Sequence, residues 1–233
     1  MTQESLTIPR PVSSWARPLF GINALVAWSG VILQFVITTL GTYPSDNTVP
    51  SILGNNEQGA LGRIFDYFTY FTILSNILVA VILTILFLNP NRDGRIFRVL
   101  RLDTVLMITV TGVVYNLILA GDSSPEGLGA IANSIEHQIT PVLTVLVWLI
   151  VGPRGWINPR VIALSFVLPI AWLVFALIRG AIIDAYPYPF VDVVTNGYGT
   201  VMINVVGIVV FALILNLIFW GLDRLLRTRR SRA

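Results

Sequence analysis

The sequence has no cysteine and a single histidine, His137. Without thiols there is no disulfide, no thiolate nucleophile and no Cys-based zinc site, and one imidazole among few carboxylates argues against a metal centre. Lysine is absent as well, so all 15 basic residues are arginine. Charged residues make up only 12% of the chain against 55% hydrophobic, far more apolar than a soluble domain of this length. This balance predicts an integral membrane protein. The arginines stand at the ends of apolar runs, where membrane lipids with anionic headgroups are the expected partners; nothing resembles a nucleic-acid motif. No cofactor is implied.

Runs long enough to cross a bilayer occur at about 19–40, 66–88, 99–120, 131–151, 161–179 and 200–222, predicting an all-α polytopic fold in one domain over 1–233. The prolines at 9, 11 and 18 keep the N-terminal stretch irregular up to the first run. That run is longer than a signal h-region, and Thr38–Tyr43 offers no good cleavage site, so an uncleaved first helix is expected. Asn89-Pro90-Asn91 and Gly152-Pro153-Arg154-Gly155 are stop signals, and Pro169 predicts a tolerated kink in the fifth helix. The long connections are 41–65 and 180–199. Six crossings place both termini on one side, and 13 of the 15 arginines fall at the termini and in the 89–101 and 152–160 loops. By the positive-inside rule those parts are cytoplasmic.

The stretch Asp66–Asn76 puts polar groups into a membrane helix. On a continuous helix Thr69, Thr72 and Asn76 share one face, with Phe68, Phe71, Ile73 and Leu74 on the others. At ~1.5 Å rise per residue, Thr72 and His137 each lie about 9 Å below the outer boundary. Asn204, Tyr115, Asn116 and Arg179 belong to the same outer half. Convergence of polar groups at membrane depth points to a functional site. Threonines and asparagines also serve as interhelical glue, so a catalytic threonine–histidine pair and a structural one both remain open. Asn133, four residues before His137, shares its face and can orient it, whereas Glu136 points about 100° away. Glu136, Asp66 and Arg63 read as interfacial charges. Tyr43, Trp148, Trp156, Tyr186 and Tyr188 read as an aromatic belt.

Six short-looped helices, the string Phe68-Thr69-Tyr70-Phe71-Thr72-Ile73-Leu74-Ser75-Asn76, His137 followed by Pro141, and Tyr186-Pro-Tyr-Pro-Phe190 after Arg179-Gly180 together resemble a family. It is that of bacterial six-span membrane proteins distantly similar to the eukaryotic androgen-induced and androgen-dependent membrane proteins. The resemblance implies a multi-pass protein of a bacterial plasma membrane. It also implies hydrolysis of fatty-acid esters of hydroxy fatty acids by an intramembrane threonine and a histidine. Carried over, the histidine is His137 and the threonine after an aromatic-apolar pair is Thr69, with Thr72 as the rival.

On that reading Asn76, Asn116, Asn204 and Tyr115, with Asn133 and Arg179, are the candidates to hold a lipid-like substrate or its oxyanion. The competing expectations are a membrane protein that binds or moves a lipid or small amphiphile without chemistry, and a purely structural subunit. No oligomeric state follows from the sequence.

Overall fold

The computed structural model describes residues 15–42, 59–122 and 125–230. Arg10, Tyr43, Asp46, Glu57 and Arg232, to which the sequence assigns charge or belt roles, lie outside them. Every described element is helical: α1 (Ala16–Leu40), α2 (Ala60–Tyr67), α3 (Phe71–Leu88), α4 (Arg95–Val114), α5 (Gly127–Ser134), α6 (Thr140–Val151), α7 (Pro159–Leu164), α8 (Val167–Ile183) and α9 (Val193–Arg230). Two π-helical segments, Tyr115–Leu119 and Ile135–Ile139, continue α4 and join α5 to α6. These pieces give six spans long and apolar enough to cross a membrane: Ala16–Leu40, Phe71–Leu88, Arg95–Leu119, Gly127–Val151, Pro159–Ile183 and Val193–Arg227.

Three of the spans differ from the expected continuous helices. The second is broken at Phe68–Tyr70, where Tyr70 takes extended angles (φ −76°, ψ 132°) and α3 starts afresh. Thr69 therefore sits in the break, and the single polar face drawn through Thr69, Thr72 and Asn76 does not exist. No glycine or proline marks the break. Its polar groups are instead satisfied from elsewhere, by the Trp172 indole donating to Thr69 O (2.8 Å) and by the Thr69 hydroxyl donating to Phe65 O (3.1 Å). The fifth span breaks at Ser165–Phe166, four residues before Pro169, because a proline removes the N–H that would bond Ser165 O and crowds that carbonyl. The sixth reaches well beyond 200–222 at both ends, with Gly197 (φ 71°) interrupting its start.

The first four spans pack tightly. Phe20, Ala24 and Ala27 of α1 meet Val79, Leu83 and Leu86 of α3, Ile108 of α4 and Val147 of α6 in one buried cluster. Polar pairs tie the same helices across, Asn23 with Thr144 (3.1 Å) and Ser75 with Thr111 (2.8 Å). Arg63, expected as an interfacial charge, closes the end of α1 by donating to Thr38 O (3.0 Å) and Thr39 O (2.8 Å), where a cation suits the helix C-terminus. Helices α7 and α9 add a second cluster around Leu106, Trp148, Ile162, Ala212 and Phe219.

Candidate active site

Helix α6 explains how the site is built. Pro141 has no N–H, so it cannot bond His137 O four residues back, and its ring crowds that carbonyl. The helix responds by widening, with Thr140 N–H bonding Ile135 O rather than Glu136 O. Two carbonyls, Glu136 O and His137 O, are thereby released. Asn76 Nδ2 donates to the first (3.2 Å) and Asn116 Nδ2 to the second (3.2 Å). Gly112 lets α4 come this close: a Cβ there would sit 2.8 Å from Pro141 Cβ and 3.3 Å from His137 O.

The widened turn presents His137 to the start of α3. His137 Nδ1 lies 3.1 Å from Asn133 O. A carbonyl only accepts, so Nδ1 carries the proton and a neutral ring presents Nε2 as an acceptor. Nε2 lies 3.2 Å from Thr72 Oγ1. The hydroxyl facing the histidine is thus that of Thr72, while Thr69 is turned to Phe65 O. Tyr115 stacks on the imidazole with centroids 3.9 Å apart, and its hydroxyl accepts from Asn133 Nδ2 (2.6 Å).

A tyrosine completes the arrangement. Tyr188 OH accepts from Thr72 N–H (3.1 Å) and lies 3.2 Å from Thr72 Oγ1. Because α3 begins at Phe71, the Thr72 N–H has no partner within its own helix, and the break is what makes it available. With Thr72 donating to His137, the remaining hydrogen runs from Tyr188 OH to Thr72 Oγ1, giving a directed chain Tyr188 to Thr72 to His137. Sequence reasoning placed Tyr188 in the aromatic belt. The signal lay in Tyr186-Pro-Tyr-Pro-Phe190 after Gly180: the Tyr186 ring packs where a Cβ on Gly180 would stand (2.2 Å), and Phe190 stacks on Tyr188 at 5.2 Å, so the loop folds inward.

The other candidates are brought near but are engaged otherwise. Asn76 also donates to Thr72 O (2.9 Å) and Asn116 to Gly112 O (2.7 Å), so both amides serve backbone carbonyls. Asn204 Nδ2 donates to Phe190 O (3.0 Å), holding the loop rather than facing the histidine. Asn133 orients the ring through its carbonyl. Arg179 pairs with the buried Asp66 and lies over the Phe65 ring (5.1 Å), which ties the fifth span to α2. Asp66 and Glu136 are 1% and 2% exposed, so neither is the interfacial charge expected.

From Thr72 and Tyr188 an apolar cavity runs between α4, α8 and α9, lined by Met107, Val110, Trp172, Leu173, Val205 and Ile208 among others. Its empty volume, open mouth included, is about 870 Å³. Among the described residues no group of three or more His, Asp or Glu is placed to hold a metal ion. Compared with known proteins, the chain matches no family model, no curated protein and no solved structure.

Proposed function

We propose that this chain hydrolyses lipid carboxylic esters within a bacterial plasma membrane, its termini cytoplasmic, with Thr72 as nucleophile and His137 as base. The observation that carries the reading is the 3.2 Å approach of Thr72 Oγ1 to an imidazole nitrogen whose partner nitrogen is held by Asn133 O. Thr72 Oγ attacks the acyl carbon as its proton passes to His137 Nε2. That proton then goes to the departing alkoxide, which leaves as the alcohol. Water, deprotonated by Nε2, attacks the acyl-threonine; the acid is released as the bond to Thr72 Oγ breaks, and the proton on Nε2 returns to that oxygen. Tyr188 OH and the positive end of the α3 dipole face the developing oxyanion. The cavity suits an acyl chain. The reaction type is the one that the resemblance to eukaryotic ester hydrolases implies, but the geometry favours Thr72 over Thr69 as nucleophile.

The test offers purified protein fluorogenic esters and esters of hydroxy fatty acids. Thr72→Ala and His137→Ala are each expected to lower kcat by at least about 10²-fold, and Tyr188→Phe by about tenfold. Thr69→Ala should stay near wild type. Activity indifferent to both Thr72→Ala and His137→Ala refutes the hydrolase. One observation favours the reading without chemistry: the cavity wall includes Thr72 and Tyr188 but not His137. A lipid that copurifies, with no ester turned over, would point to a binding or transport protein.

A further inference from the structure

At the arginine-rich end of the molecule, remote from Thr72, Arg101 is only 7% exposed. Its guanidinium lies over the ring of Trp156 (4.9 Å) and near that of Phe20 (5.6 Å). Among the described residues no acceptor reaches Arg101 Nη1. A buried guanidinium loses its hydration and ordinarily recovers it from a carboxylate or phosphate. The carboxylates within electrostatic reach are Asp93 and Asp223, and both are engaged. Asp93 receives Arg98 through both oxygens (2.7 and 2.6 Å), and Asp223 accepts from Gly155 N–H (2.8 Å). Asp103, two residues on from Arg101, projects from another side of α4.

The same corner holds more positive charge than these acids balance. Arg98 also lies over Trp156 (5.4 Å), Arg154 over Trp148 (4.9 Å), and Arg227 crosses Gly155. Four guanidiniums, Arg98, Arg101, Arg154 and Arg227, against the carboxylates of Asp93 and Asp223 leave a local excess of two positive charges. Arg98 is held by Asp93, and Arg154 Nη2 donates to Trp148 O (2.9 Å) and Leu149 O (2.6 Å), whereas Arg101 Nη1 keeps a planar N–H edge of the kind that grips phosphate oxygens. Trp148, Trp156 and Trp220 set this corner at headgroup level.

We propose that Arg101 and Arg154, framed by Trp156 and Trp148, form a specific site for a phosphate group, supplied by an anionic phospholipid of the leaflet at this end. The site does not depend on the hydrolase reading. Its central guanidinium is buried and stacked on an indole, unlike the exposed arginines such as Arg224, whose attraction is diffuse.

The experiment uses the full-length protein in a neutral detergent, as wild type, Arg101→Gln, Arg101→Lys, Arg154→Gln and Arg224→Gln. Native mass spectrometry counts retained lipid, and thermal melting follows stability, with phosphatidylglycerol, phosphatidic acid, phosphatidylcholine or inorganic phosphate added. Expected are retained anionic lipids and a raised melting point for wild type, with no effect of phosphatidylcholine. Retention should fall about five- to tenfold in Arg101→Gln and Arg154→Gln and hold in Arg224→Gln. Arg101→Lys keeps the charge without the planar edge, so it should fold and retain an intermediate amount. Stabilisation by inorganic phosphate alone, lost with Arg101, would assign the site to a free phosphate compound instead. Equal retention in Arg101→Gln and wild type, or an equal fall in Arg224→Gln, would overturn the proposal.

Discussion

The first four spans and the last two are built to different standards. In the third span 61% of the apolar window is buried within the protein, against 22% in the fifth and 17% in the sixth. The polar residues follow the same division. Thr72 and His137 sit on the tightly packed second and fourth spans, whereas the cavity beside them is walled by the third span on one side and by the fifth and sixth on the other. Fixed geometry is thus supplied by the densely packed spans, and the fifth and sixth spans, with less of their surface buried in the protein, close the other side of the cavity. Tyr188 belongs to the loop between the last two spans, so it is the one group of the chain Tyr188–Thr72–His137 that they contribute.

Asp66→Asn attacks the joint between the two halves, and the largest effect is expected there. It leaves Arg179 with only 14% side-chain exposure facing no carboxylate, at a cost of about 3 kcal/mol in denaturant titration. The chain has no cysteine, so a pair introduced across α2 and α8 should lose cross-linking efficiency in the same variant. An unchanged titration curve would show that the halves are held together elsewhere.

A matched pair of glycines sharpens the contrast. Gly112→Val on the tight side places atoms 2.8 Å from Pro141 and should cost about 2 kcal/mol and displace His137. Gly207→Ala in the sixth span meets nothing within 4 Å and should stay within about 0.5 kcal/mol of wild type. Comparable losses at both positions would erase the distinction.

The smallest effect concerns pH. The hydrogen bond from Arg98 holds the Asp93 carboxyl below its usual range. Its contribution is therefore present above the unfolded value of about 3.9 and is lost as pH falls through the lower native one. Asp93→Asn should flatten the acid limb of the stability profile without altering the plateau of ester turnover, because the pair lies at the opposite end from Thr72.

The six spans were legible because apolar length is a property of composition, and a bilayer leaves few other solutions. The interruption of the fifth span was legible in Pro169, but that of the second was not. Phe68–Tyr70 carries no proline or glycine, and the chain leaves the helix there because Trp172 and Tyr188, more than 100 residues away, satisfy what the break exposes. A straight helix made Thr69 and Thr72 equivalent, and only the break separates them. Asn76 and Asn116 were noticed for their polarity, yet each donates to a carbonyl released by Pro141, a consequence of backbone register that residue identity does not display. Arg179 was read as a candidate site residue and Asp66 as an interfacial charge, and their pairing joins distant helices and leaves no local trace.

The widened turn at Ile135–Ile139 amounts to one residue more than a regular helix needs between α5 and α6. That surplus rotates everything before it by about 100° relative to everything after it. The half of the fourth span bearing Asn133 and His137 is therefore indexed separately from the half that packs Val147 and Trp148 into the core. Removing one residue, such as Gln138, would leave the second half seated and swing the imidazole away from Thr72. In this fold the aim of the histidine is set by a count of residues, and an insertion or deletion is a sharper instrument for resetting it than any change of side chain.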